Sequence, residues 1–281
     1  MQRVLIAGCG YVGAALAAEL AAAGHRVWGL RRRPVSIAPG VETLAADLSD
    51  PASLRDLPGD LDSAVYAASA DAYEPDAYRR AYVDGPANLA AALAASGGRP
   101  RLVLVSSTGV YGRDDGAWVD ETSPAEPRGF SGEILLEGER RAAAGPLPVV
   151  VARLAGIYGP RRALFVEALR RGEAAREPAP ARPINLIHRD DCVGVLRHLL
   201  ELEAPAALYL GVDSEPVPRD ELLDWLAARL GVPPPGEASG APAVRRARGS
   251  KRCSNARLLG SGYRMRRPTY REGYADLLDP E

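Results

Sequence analysis

The chain has only three cysteines, Cys9, Cys192 and Cys253, an odd number set far apart. That excludes a disulfide framework and matches no zinc-ligand spacing. It also lacks an excess of charge of either sign, since 35 basic and 36 acidic residues leave a net charge of −1. No overall field therefore favours nucleic acid or an anionic membrane, and any contact with a polyanion has to be local. No stretch approaches the roughly 18 apolar residues of a membrane span, and the apolar run that follows Met1 is too short for a signal-peptide core. Internal repeats and long low-complexity tracts are absent as well. The expectation is a reduced, cytoplasmic protein with no nucleic-acid or membrane partner and no metal.

What is present is ample material for a core: 281 residues, 47% of them hydrophobic. That length is near the upper size for one core, so one domain with an attached lobe is expected. Residues 4–7 read as a buried strand, residues 8–13 as a glycine turn, and residues 14–23 as an alanine-rich helix ended by Gly24. Further strands are expected at 26–30, 41–45, 64–68, 102–105 and 149–153, separated by helical or irregular segments. Short Val- and Leu-rich runs are the mark of parallel strands buried on both faces, which predicts a doubly wound α/β sheet. Residues 76–96 read as a helix interrupted at Gly85-Pro86. After Pro160 the elements shorten and proline increases. Helices are expected at 164–171 and 220–230, strands at 184–188 and 208–212, and loops at 172–183 and 232–243.

Gly8-Cys-Gly-Tyr-Val-Gly13 follows a strand and opens a helix, the context in which a Gly-x-Gly-x-x-Gly pattern signals a dinucleotide pyrophosphate. Gly8 permits the tight turn, Gly10 the approach of the phosphates to backbone, and Gly13 close helix packing. Cys9, Tyr11 and Val12 contribute backbone contacts. An NAD-specific site places a carboxylate after the second strand to hold the ribose 2'-hydroxyl. Here Arg31-Arg32-Arg33 stand instead, and a guanidinium favours the 2'-phosphate of NADP(H) over NAD(H). The alternative is a solvated basic turn.

With Ser106-Ser-Thr-Gly-Val-Tyr-Gly112 added, the chain resembles the atypical and extended short-chain dehydrogenase/reductases of the NAD-dependent epimerase/dehydratase family. The resemblance implies a Rossmann-type doubly wound parallel sheet at residues 1–160. It also implies a smaller, discontinuous C-terminal substrate lobe at 161–281, some segments of which return to the sheet. It assigns adenine contacts to Asp47 and Leu48 and a small-residue cofactor floor to Ala67, Ala68 and Ser69. The segment Arg153-Leu-Ala-Gly-Ile-Tyr-Gly-Pro160 resembles the stretch that passes the nicotinamide, which places Leu154 and Gly156 at the cofactor. Ser107 takes the place of the active-site Ser or Thr, and Tyr82 that of the active-site Asn. The family's Tyr-x-x-x-Lys pair is missing: Ser131 stands at the tyrosine and Leu135 at the lysine. Asp84, Tyr111 and Tyr158 join Tyr82 as candidates for handling the proton.

The segments 184–191, 251–255 and 268–273 also resemble family segments. Asp190 or Asp191 is expected to cap the helix that runs to Leu202. Arg176, Arg182, Arg246, Arg248 and Lys251 are candidates for a substrate phosphate, with a solvated basic loop as the alternative. These features imply an NADP(H)-dependent oxidoreductase or epimerase for a small polar metabolite, such as a nucleotide sugar. A non-catalytic NADP(H)-binding redox sensor is the rival reading. As in many relatives, helices 76–96 and 131–144 are candidate homodimer surfaces.

Overall fold

The structure, a computed structural model, describes residues 1–33, 35–176, 181–237 and 249–278. Seven parallel strands form the central sheet: β1 Arg3–Ala7, β2 Arg26–Arg31, β3 Val41–Ala45, β4 Ser63–Tyr66, β5 Arg101–Ser107, β7 Val149–Leu154 and β11 Leu208–Gly211. Short strands complete the chain order: β6 Trp118–Val119, β8 Gly156–Tyr158, β9 Pro183–Ile184, β10 Leu186–His188, β12 Val217–Pro218 and β13 Arg252–Cys253. The sheet order is β11-β7-β5-β4-β1-β2-β3. The chain steps from β1 to β2 on one side and takes up β4 on the other, so a switch point opens at the carboxyl end of β1, where such sheets bind ligands.

Alternation along the strands divides the core between the two faces. Val4, Ile6, Val65, Val103 and Ala152 pack on α1 (Gly13–Ala22) and α6 (Arg189–Glu201). Leu5, Ala7, Ala64, Leu102 and Leu104 meet Leu89 and Leu93 of α3 (Gly85–Ala95) on the opposite face. A separate cluster joins α5 (Leu164–Arg170), α7 (Arg219–Leu230) and α9 (Tyr270–Leu278) through Val166, Leu169, Leu222, Leu226 and Tyr270. From this later half, β11 pairs with β7 at the sheet edge and α6 packs against α1. Asp191, fully buried on α6, accepts from the Tyr263 hydroxyl and from the amides of Arg266 and Arg267 at 2.7–2.8 Å, which ties down the approach to α9.

The interruption expected at Gly85-Pro86 begins earlier. After α2 (Pro75–Arg79) comes a π turn at Arg80–Asp84, and α3 follows. The Tyr66 hydroxyl donates to the Ala81 carbonyl at 2.6 Å, and a Cβ on Gly85 would lie 2.2 Å from that hydroxyl. A side chain inserted into the helical ladder, beside a proline without an amide hydrogen, accounts for the bulge.

Two expectations need correction. The strand expected at 184–188 is divided at Asn185, whose amide group instead bonds the Lys251 carbonyl and the Cys253 amide. The cap of α6 is His188, whose Nδ1 accepts from the Asp190 amide at 3.2 Å, so Asp190 and Asp191 lie inside the first turn.

Candidate functional site

A cleft of about 690 Å³ lies at the switch point. Its lining includes Gly8, Cys9, Gly10, Arg31–Arg33, Asp47, Leu48, Ala67–Asp71 and Arg80. Gly8 has φ +99°, and a Cβ there would lie 2.3 Å from the Ala68 backbone nitrogen. One on Gly13 would lie 2.2 Å from the Gly8 carbonyl oxygen. At Gly10 nothing beyond its own chain neighbours lies within 4 Å of the same position, so this backbone faces open space. Helix α1 begins at Val12-Gly13 with no side-chain cap and no acidic residue in its first turn. The Ala14 amide bonds the Gly10 carbonyl at 3.0 Å, and no side chain of the helix start opposes an anion there, which suits a dinucleotide pyrophosphate.

Cys9 is buried, its thiol 3.5 Å from the Ile6 carbonyl. Burial pushes that thiol up to about 11, which makes it a packing group rather than a nucleophile. The Tyr11 hydroxyl donates to the Pro160 carbonyl at 2.9 Å, joining the glycine turn to the 153–160 segment. Asp47 accepts from the Ser49 amide and hydroxyl, which holds its carboxyl below the usual range. The Asn88 side chain donates to the Leu48 carbonyl at 3.0 Å and fixes that corner. Of the three arginines, Arg32 alone pairs with a carboxylate among the described residues, through two bonds to Asp71 at 2.8 and 2.7 Å.

Further along the sheet edge, Ser107 closes β5 opposite Leu154, and its Oγ accepts from the Gly109 amide at 3.0 Å. Gly156 bonds the Asn185 carbonyl through its amide. Neither Leu154 nor Gly156 lines the 690 Å³ cleft. Ser131 lies in the first turn of α4 (Phe130–Ala143), and Leu135 is buried one turn later. Gly132, which follows Ser131, packs on the Ser107 turn: a Cβ there would lie 2.9 Å from the Gly109 carbonyl oxygen. Ser107 and Ser131 are thereby brought to one neighbourhood.

Sequence reasoning missed Tyr73. Its hydroxyl lies 3.4 Å from Ser131 Oγ, and its ring packs on Phe130 with centroids 4.8 Å apart. A phenol thus stands beside Ser131. The earlier candidates differ in their surroundings. Tyr82 is half-buried in the π turn, its phenol pushed up by burial. Tyr111 donates to the Asp120 carbonyl, Tyr158 is buried and stacked on Tyr274, and Asp84 pairs with Arg141 at 3.4 Å.

Behind Ser107 lies a buried ion pair, also missed. Glu139 of α4 accepts from Arg153 of β7 at 2.6–3.2 Å and from the Ser106 hydroxyl at 2.5 Å. The Arg153 guanidinium lies over the Tyr111 ring, 4.8 Å from its centroid.

Lys251 is the only lysine of the chain. It is buried with no carboxylate partner among the described residues, and burial lowers its amine below the ordinary value. In the extended segment through β13 it shares a face with Cys253, whose thiol interacts with Thr108 of the serine turn. The signal available in the sequence was its singularity among 35 basic residues. Of the other candidate phosphate ligands, Arg176 bonds Asp224 and the Pro235 carbonyl, while Arg246 and Arg248 lie outside the described residues. No group of His, Cys, Asp or Glu among the described residues is arranged to hold a metal, and none of their helices is long and apolar enough to cross a membrane.

Comparison with known proteins agrees with this geometry. A structure from Methylobacillus flagellatus, classed as an NAD-dependent epimerase/dehydratase, is 38% identical, covers 99% of this chain and 97% of its own, and superposes with a TM-score of 0.80. A 3-diazoavenalumate denitrifying reductase from Streptomyces sp is 29% identical over 265 residues, 83% of each chain. MoeE5, solved in complex with UDP-glucuronic acid and NAD, shares the fold with a TM-score of 0.81 at 24% identity, over 97% of this chain and 96% of its own. The sequence profile of the NAD dependent epimerase/dehydratase family matches residues 4–171, the stretch from β1 to the end of α5 that carries both the glycine turn and the serine turn. The chain belongs to that family.

Proposed function

We propose that this protein is an NADP(H)-dependent oxidoreductase or epimerase acting on a small polar metabolite, with nucleotide sugars as the leading class. The observation that carries this reading is the cleft itself. Open backbone at Gly10 and an uncapped, acid-free start to α1 suit a pyrophosphate, and three arginines stand at the ribose end. The bound cofactor supplies or accepts hydride. The chain's part is to orient the reacting carbon, exclude water and manage a proton. Ser107 is suited to orient a carbonyl or hydroxyl next to the nicotinamide. The Tyr73 and Ser131 hydroxyls offer a proton path where the family tyrosine is absent. A reductase at 29% identity supports the oxidoreductase class, and a fold neighbour holding UDP-glucuronic acid and NAD suggests the substrate class.

Ser131 and Leu135 in place of tyrosine and lysine favour the rival reading, a redox sensor that binds NADP(H) without turnover. A screen of metabolite fractions that follows NADPH fluorescence separates the two. Consumption of NADPH supports the enzyme, and tight binding with no turnover in any fraction supports the sensor. Once a substrate is in hand, Ser131→Ala is expected to lower turnover by less than about tenfold, roughly 1.4 kcal/mol, because the serine is not the principal acid. A loss above about a thousandfold, with NADPH affinity and folding unchanged, would make Ser131 an essential catalytic group. A cytoplasmic location and a homodimer through α2–α3 and α4 belong to the same proposal. Sedimentation equilibrium showing monomer alone at micromolar concentration would remove the dimer.

A further inference from the structure

Arg32 follows β2 and Asp71 follows β4, and β1 lies between these strands. Their two-pronged ion pair therefore spans the carboxyl end of β1, in the mouth of the cleft that both residues line. A carboxylate is missing from the chain directly after β2, but folding brings one to that place from the segment after β4, on the far side of β1. Asp47 and Arg80 are the other charged groups that act on the pair.

We propose that Asp71 is a specificity-determining residue for the cofactor, competing with the 2'-phosphate of NADP(H) for Arg32 and accepting from the 2'-hydroxyl of NAD(H). This rests on the reading that the cleft takes a nicotinamide dinucleotide. The two side chains are 61% and 66% exposed, so their pairing is weak in water and screened by salt. A phosphate carries more charge and accepts both prongs of the guanidinium, so it takes Arg32 from Asp71. The released carboxylate then faces the phosphate with like charge and opposes the binding that Arg32 assists. With NAD(H) no phosphate arrives, the ion pair stays closed, and the carboxylate has a ribose hydroxyl to accept from. One side chain thus moderates the preference that Arg31–Arg33 create.

Calorimetric titration of the whole protein with NADPH and NADH tests this in wild type, Asp71→Asn, Arg32→Ala and the double variant. Both residues are exposed, and matching thermal midpoints confirm that folding is unchanged. Asp71→Asn is expected to tighten NADPH roughly three- to tenfold, an effect that fades with added salt, and to leave NADH unchanged or weaker. In the Arg32→Ala background the gain shrinks, because only repulsion across the cleft remains. An unchanged NADPH affinity in Asp71→Asn, or equal gains for both cofactors, overturns the role of Asp71. Should wild type bind the two equally while Asp71→Asn separates them, the arginine-based preference fails and the role of Asp71 stands. Absence of binding for either cofactor overturns the dinucleotide reading and this inference with it.

Discussion

Replacing Glu139 by glutamine is expected to destabilise the fold by about 3–5 kcal/mol, because it leaves the Arg153 guanidinium buried without its counter-charge. The two side chains are only 8% and 6% exposed, so water cannot substitute for the lost partner. The reciprocal change, Arg153→Met, leaves a buried carboxylate, and the two variants should differ with pH. A stranded carboxylate binds a proton and becomes neutral, so its folded-state affinity for protons lies above the unfolded one, and the penalty fades as pH falls. A guanidinium stays charged across the accessible range, so Glu139→Gln remains destabilised at every pH. Thermal unfolding at pH 7.5 and pH 5 checks this, with a drop on the order of 10 °C expected for Glu139→Gln at both. Equal stability of Glu139→Gln and wild type would show that the pair contributes nothing. Because Glu139 also accepts from Ser106, the neighbour of Ser107, the loss should extend to the site.

The second large effect concerns the glycine turn. Gly13→Val is expected to weaken NADPH by at least about a hundredfold, roughly 2.7 kcal/mol, and to lower stability. Its Cβ would meet the Gly8 carbonyl oxygen at 2.2 Å and the Ile6 side chain at 3.3 Å, so α1 has to move off the sheet. Gly10→Val is the informative control. Nothing beyond its own chain neighbours lies within 4 Å of that Cβ, so the fold should be unaffected while the added side chain fills the space for the pyrophosphate. Calorimetric titration paired with thermal unfolding separates the two variants. Unaltered NADPH binding in Gly10→Val would contradict the assignment of this cleft.

The elements that sequence made legible are those written in local patterns. Val- and Leu-rich runs such as residues 102–105 and 149–152 lie in central parallel strands, because strands covered on both faces need apolar side chains at nearly every position. The glycine turn was legible because Gly8 and Gly13 answer local steric demands. What escaped depends on partners far along the chain. Asp71 meets Arg32 across 39 residues and Tyr73 meets Ser131 across 58, and no periodicity encodes either encounter. The π turn escaped because its cause is a tyrosine on a neighbouring strand rather than Gly85-Pro86 alone. At residues 184–191 the apolar pattern could not reveal that Asn185 bonds the Lys251–Cys253 segment instead of continuing a strand, or that an imidazole takes the cap.

Calorimetric titration of the wild-type protein with NADPH and with NADH tests the central claim most directly. Arginines in place of a carboxylate after β2, acting on an open pyrophosphate cradle, predict NADPH at least about tenfold tighter, roughly 1.4 kcal/mol, and a preference that Arg31→Asp removes. Equal affinities, or no binding of either cofactor, would contradict it.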